Sequence, residues 1–111
     1  DPFVVWGSPD VVRDFLYVKD VVKGCLLVLE KGESMKPYNV GYGTTVNIGD
    51  IVNTILKVTG KTPDVQWDNS KPTTIPFRSC STERIETELG FKPDYTFEQG
   101  MKETIEWYEN L

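Results

Sequence analysis

Arg13-Asp14-Phe15-Leu16-Tyr17-Val18-Lys19-Asp20 runs directly into Val21-Val22-Lys23-Gly24-Cys25-Leu26-Leu27-Val28-Leu29. Phe15–Val18 is rich in β-forming side chains, so a strand is expected there, with one guanidinium just before it. Asp20 can start a helix. The residues that follow are apolar around nearly the whole helical circumference. A helix on the outside of a small domain should be amphipathic, and one that is apolar all round needs cover on both sides. A chain of 111 residues has little cover to offer. The junction therefore predicts a domain whose packing is completed by something else. Gly24 costs about 1 kcal/mol of helix propensity against Ala; it permits a close approach by another backbone or is simply tolerated.

Outward from this junction the chain alternates short strands and helices. Phe3–Trp6 reads as a strand, and Gly7-Ser8-Pro9-Asp10 as a turn. Glu30–Lys36 reads as a polar loop and Tyr38–Val40 as a short strand closed by Gly41-Tyr42-Gly43. Asn47 with Asp50 three residues on signals a helix start. Ile48, Ile51, Val52, Ile55, Leu56 and Val58 follow at helical spacing, and Gly60 ends the run. Asp64–Trp67 reads as another strand, and Asn69–Phe77, with two prolines, as a loop. Ser81 or Thr82 can cap a short helix that buries Ile85 and Leu89 and stops at Gly90. Thr96, with Gln99 at the box position, caps a last helix carrying Phe97, Met101, Ile105 and Tyr108 as its stripe, with Trp107 near the edge. The order is strand, strand, helix, strand, helix, strand, helix, helix: an α/β chain of one domain, residues 1–111.

Composition narrows the function. Seventeen acidic against twelve basic residues give a net charge of −5, and no basic block is present, which argues against nucleic acid. No apolar run reaches the length of a membrane helix, and no leader pattern is visible. The chain begins at Asp1 rather than Met, so its true beginning is expected elsewhere. It contains no His, and Cys25 and Cys80 lack ligand spacing, which excludes a zinc site or a His-based triad within the chain. Two free thiols fit a cytoplasmic protein. Cys25 is expected as a small buried hydrophobe, and Cys80 has only Arg78 nearby to lower its pKa.

Arg13 is the leading candidate for a ligand contact, because a planar guanidinium can donate two parallel charge-assisted hydrogen bonds to a diphosphate. The alternative is a surface pair with Asp14, Asp10 or another acid. Lys71 and Arg78 sit on one proline-bordered loop able to close over a second phosphate or a ribose, or to carry two solvated cations. Trp6 and Phe77 can pack on a planar ligand group, although a Trp is more often core. Asn39 can bond to a ligand or orient its own turn. Gly41-Tyr42-Gly43 lacks the spacing of a nucleotide loop, and no Lys follows a Tyr at four residues. The chain carries no self-contained catalytic constellation.

Val4-Val5-Trp6-Gly7-Ser8-Pro9 and Arg13 to Val22 together resemble the extended short-chain dehydrogenase/reductase family of NAD-dependent nucleotide-sugar epimerases, dehydratases and reductases. Tyr38-Asn39-Val40-Gly41, Asn47-Ile48, Ser70-Lys71-Pro72, Leu89 to Pro93, Gly100 and Thr104 to Tyr108 extend the likeness over essentially the whole chain. The resemblance implies a small mixed α/β substrate-binding domain from the C-terminal third of such an enzyme, lacking most of the Rossmann domain. NAD or NADP and the Tyr-x-x-x-Lys pair would then belong to an absent N-terminal part, with no cofactor on this chain. The parent enzyme would be a homodimer acting on a nucleotide sugar, without nucleic-acid or membrane partners. Arg13 would bind the diphosphate, with Trp6, Lys71, Phe77 and Arg78 around the nucleotide and Asn39 near the interdomain region. The Lys71–Arg78 segment looks closest to reductase-epimerases of the GDP-L-fucose synthase kind. Galactose epimerases favour Arg-Pro-Gly-Asp where this chain has Lys71-Pro72-Thr73-Thr74. Ser81 replaces the usual Asp, and Ser8–Val12 departs from the usual glycine-containing turn. The competing reading is a stand-alone structural or protein-interaction domain that reuses the fold.

Overall fold

The computed structural model describes residues 1–111. Eight elements follow one another: β1 (Phe3–Trp6), β2 (Val12–Arg13), α1 (Val18–Lys31), β3 (Val46–Asn47), α2 (Ile48–Thr59), β4 (Val65–Asp68), α3 (Glu83–Leu89) and α4 (Phe97–Glu109). β1 lies parallel to β4, with Phe3 opposite Val65 and Trp6 opposite Asp68. β2 lies antiparallel to β3, with Arg13 opposite Val46.

The expected strand at Phe15–Val18 does not form. The short strand is Val12–Arg13 instead, because that is where partners exist. Val12 pairs with Asn47 on one side and bridges Phe77 on the other, where its N–H donates to Pro76 O at 2.8 Å and its O accepts from Arg78 N at 3.1 Å. Helix α1 then begins earlier than expected, as the N–H groups of Asp20 and Val21 donate to Tyr17 O. Asp20 is therefore inside the first turn rather than its cap. It is 1% exposed, and its carboxylate accepts from Asp94 N at 2.8 Å and Tyr95 N at 3.2 Å. The helix also continues through Lys31, into the stretch read as a polar loop. Tyr38–Val40 forms no strand, since no other strand lies beside it.

The locally encoded signals hold. Asn47 Oδ1 accepts from Asp50 N at 2.7 Å at the start of α2, and Gly60 ends that helix in the left-handed conformation. Thr96 and Gln99 form a reciprocal capping box on α4. Gly90 stops α3 after Ile85, which is fully buried. Thr82 is the α3 N-cap residue, but its hydroxyl bonds the Glu86 side chain rather than a backbone N–H.

Helix α2 packs on α4 and α1 on α3. Gly100 of α4 lies so close to Tyr17 that an added Cβ would sit 2.8 Å from the Tyr17 Cβ. Gly24 faces the Val40 and Phe91 side chains in the same manner, so its close neighbours are side chains rather than another backbone. The hydrophobic core is thin: Val52, Ile85 and Phe91 are its buried hydrophobic residues. In α1 only Asp20 and Gly24 are buried. Val22, Leu26 and Leu29 are 51%, 58% and 83% exposed, and Phe3, Val4 and Trp6 of β1 are exposed too. Cys25, expected in the core, is exposed, because it belongs to this uncovered part of α1. Tyr108 and Trp107 at the end of α4 are exposed as well.

The molecule measures 51 × 33 × 20 Å, with a radius of gyration of 16.4 Å against about 13 Å for a compact chain of this length. Its accessible surface is 7813 Å², where a compact monomer of its mass exposes about 6,200 Å². Two-stranded sheets are marginal alone, and parallel strands are ordinarily covered on both faces. The β1–β4 pair and the outer face of α1 have the composition of interior surfaces and the exposure of exterior ones.

Candidate functional site

Turn 7–10 and the β2–β3 pair bring Arg13 to the rim of a cleft of about 200 Å³ lined by Trp6, Gly7, Ser8, Val11, Arg13, Ile48 and Pro72–Thr74. Gly7 is buried at φ +95°, a conformation that favours glycine, and its N–H donates to Asp68 O at 3.0 Å. This turn lets β1 leave its sheet and the chain arrive at β2 beside the 71–78 loop.

The Arg13 guanidinium is held at three points. Nη1 donates to Val12 O at 2.7 Å, and Nη2 donates to Thr74 Oγ1 at 3.2 Å and to Ile75 O at 2.6 Å. None of the chain's ion pairs involves Arg13, Lys71 or Arg78. The surface-pair alternative for Arg13 is therefore not realised. Lys71 Nζ lies 5.5 Å from the centroid of the Trp6 ring, within reach of a cation–π contact. Trp6 and Arg13 thus line one cleft, and Lys71, 65 residues from Trp6 along the chain, reaches its edge through the Trp6 ring.

Phe77 and Arg78 lie on the other side of β2, through the bridge to Val12, and both are exposed. Asn39 is elsewhere. Its amide donates to Ser81 O at 3.1 Å, and it lines a separate polar cleft of about 450 Å³ with Pro37, Ser81 and the outer side of α3. The chain therefore puts two of the six candidate residues, Trp6 and Arg13, in one cleft with Lys71 at its edge, Phe77 and Arg78 flanking and Asn39 apart.

Asp14 and Asp20 play parts the sequence did not announce. Asp14 accepts from Tyr42 N at 2.9 Å and Gly43 N at 3.4 Å, which ties the 41–43 turn to the segment after β2. Asp20 ties the 94–95 turn to α1 in the same way. The two carboxylates fix the loops on either side of the Arg13 segment, and each satisfies backbone donors that would otherwise lack partners. Nothing local in the sequence marks either role, because both carboxylates bond to backbone far along the chain. Cys80 is exposed as a residue, yet its Sγ lies against the Gly41 backbone. That partial burial, and then the Asp14 carboxylate, raise its pKa from 9.0. The Arg78 guanidinium does not produce an activated thiol there.

The chain lacks the glycine fingerprint of a dinucleotide loop and any Tyr-x-x-x-Lys pair.

A family model described as GDP-mannose 4,6 dehydratase matches residues 1–104. A putative GDP-L-fucose synthase of Arabidopsis thaliana is 31% identical over all of this chain and 34% of its own length. The structure of a dTDP-glucose 4,6-dehydratase from Bacillus anthracis in complex with NAD superposes with a TM-score of 0.88 at 31% identity, over 99% of this chain and 35% of that one. The structure of RMD from Pseudomonas aeruginosa complexed with NADPH gives 0.86 at 25% identity, over 99% and 37%. The α/β fold is that of the extended short-chain dehydrogenase/reductase enzymes, and the chain belongs to the GDP-mannose 4,6-dehydratase family. It spans about a third of the length of the curated relatives it matches.

Proposed function

We propose that this chain is the nucleotide-sugar-binding part of an NAD(P)-dependent enzyme, with Arg13 as the principal contact to the diphosphate. Trp6 offers a planar face and Lys71 a second cation at the same cleft. The observation that carries the reading is an Arg with no acidic partner, set at a cleft beside an exposed Trp and an unpaired Lys. A buried or surface-paired Arg would have its charge answered within the chain, whereas this one meets only uncharged acceptors and keeps a net charge for an external anion. Phe77 and Arg78 flank the cleft and close over the nucleotide, and Asn39 helps seat the domain against its neighbour.

The rest of the polypeptide would supply the cofactor and the catalytic Tyr–Lys pair. Bound NAD(P) exchanges hydride with the sugar ring. The chain's own contribution is binding energy at the nucleotide, remote from the reacting carbon, which positions the sugar for transfer. The open face of α1 and the uncovered β1–β4 pair support a neighbouring domain packed there. A homodimeric, cytoplasmic parent enzyme fits the same reading. The family's choice among dehydratases, reductases and epimerases turns on groups outside this chain. Within this chain, the Lys71–Arg78 segment is the part that leans toward the GDP-L-fucose synthase kind.

The test is titration of the chain with GDP-, UDP- and dTDP-sugars, followed by Trp fluorescence or NMR, and repeated with Arg13→Ala. Loss of a bidentate charge-assisted contact should weaken binding by about tenfold or more. Equal binding by both proteins would remove the diphosphate role of Arg13.

A further inference from the structure

The hydrogen bonds of Arg13 show that its anion-binding edge is already in use. A guanidinium presents two paired edges for bidentate contact: Nε with Nη2, and Nη1 with Nη2. Both edges need Nη2. In this chain Nη2 carries two N–H groups and meets two protein acceptors, Thr74 Oγ1 and Ile75 O. Nη1 is partly engaged too, with Val12 O. The two groups that remain unengaged, Nε–H and one N–H of Nη1, lie on opposite sides of the guanidinium carbon and cannot form a parallel fork.

We infer that the Thr74–Ile75 segment occupies the diphosphate seat in the ligand-free chain, and that a diphosphate binds by displacing it. Thr74 is then a positioning residue that competes with the ligand for Nη2 of Arg13. The inference rests on the proposed phosphate role of Arg13 and adds to it a conformational step.

Three further observations agree. The cleft measures about 200 Å³, below the roughly 300 Å³ from which small-molecule sites usually start, and Thr73 and Thr74 form one of its walls. Every residue from Lys71 to Cys80 is exposed, so the loop can move without opening a core. Its tethers are few: the Arg13 bonds, the Lys71–Trp6 contact and the short bridge at Val12. Release of the first leaves the loop held only by the Lys71–Trp6 contact and the two backbone bonds of Pro76 and Arg78 to Val12, so the stretch through Arg78 loosens with Pro72–Ile75.

The test uses pyrophosphate as the probe and two readouts on the 111-residue chain. Thr74→Val keeps the shape and removes one acceptor from Nη2. If Thr74 competes with the anion, this variant binds pyrophosphate about two- to tenfold more tightly than the wild type, the range of one hydrogen bond. If Thr74 only supports Arg13 for binding, the affinity falls or stays the same, and the inference is overturned. The second readout does not depend on that variant. Lys71 precedes Pro72, so Arg78–Ser79 is the loop's tryptic site. Pyrophosphate should accelerate cleavage there in the wild type, and Arg13→Ala should show the faster rate without ligand. Protection of the bond by pyrophosphate would overturn displacement even if Thr74→Val failed to fold. Undiminished pyrophosphate binding by Arg13→Ala would instead strike the proposed function itself.

Discussion

Single side chains in this protein act mainly by holding distant backbone. The Asp20 carboxylate shows this most clearly, since it is buried and receives two N–H groups from residues 74 and 75 positions away. Asp20→Ala would strand both donors in the interior. Each unsatisfied buried group costs about 1–3 kcal/mol, so chemical denaturation should report a loss of about 3 kcal/mol, and Asp20→Asn a smaller one. A loss below about 0.5 kcal/mol would show that water reaches those donors. Cys80 gives a pH-dependent prediction. Partial burial, then the Asp14 carboxylate, raise its pKa above 9.0. The thiolate is the disfavoured form in the folded chain, so stability from this group is fully present below pH 9 and declines as pH rises from 9 toward the raised value. In a Cys25→Ser background, the iodoacetamide rate profile of Cys80 should have its midpoint above 9.0, and Asp14→Asn should move it down. A midpoint at or below 9.0 would contradict the assignment.

At the scale of elements, the features visible in the sequence are those closed by neighbours a few residues apart. Asn47 with Asp50, Thr96 with Gln99, and the stops at Gly60 and Gly90 are completed within one helical turn, so their residue types announce them. The strand beside Arg13 forms at Val12–Arg13 and not at the residues of higher β propensity, because its position is set from outside. Val12 finds Asn47 and Phe77, whereas Phe15–Tyr17 find no strand, and local β propensity gives way to available partners. Tyr38–Val40 fails for the same reason. The cleft was legible as residue types but not as an assembly. Arg13 and Lys71 stood out by charge and by resemblance, while the Arg13 bonds to Thr74 and Ile75 span 61 and 62 residues and leave no local trace. The separation of Asn39 was equally invisible, because it depends on how α3 packs beside α1. Cys25 shows the limit of a burial rule. An apolar helix position is buried only if something covers it, and this part of α1 is bare.

For the whole molecule, surface area and shape carry the argument. A chain of this size that exposes 7813 Å² with three buried hydrophobic core residues has little apolar burial to oppose its conformational entropy. Exposed apolar side chains on α1 and on β1 are surfaces of the kind that dock a partner, and the proposed function assigns a neighbouring domain as their cover. The direct measurement is sedimentation equilibrium with urea unfolding of the 111-residue chain and its Leu26→Lys/Leu29→Lys variant. The account predicts a wild type that self-associates through the bare helix face, and a variant that stays monomeric and folded with stability within about 0.5 kcal/mol, as for surface substitutions. A wild type that sediments as a monomer, and that the same two substitutions unfold, would contradict it.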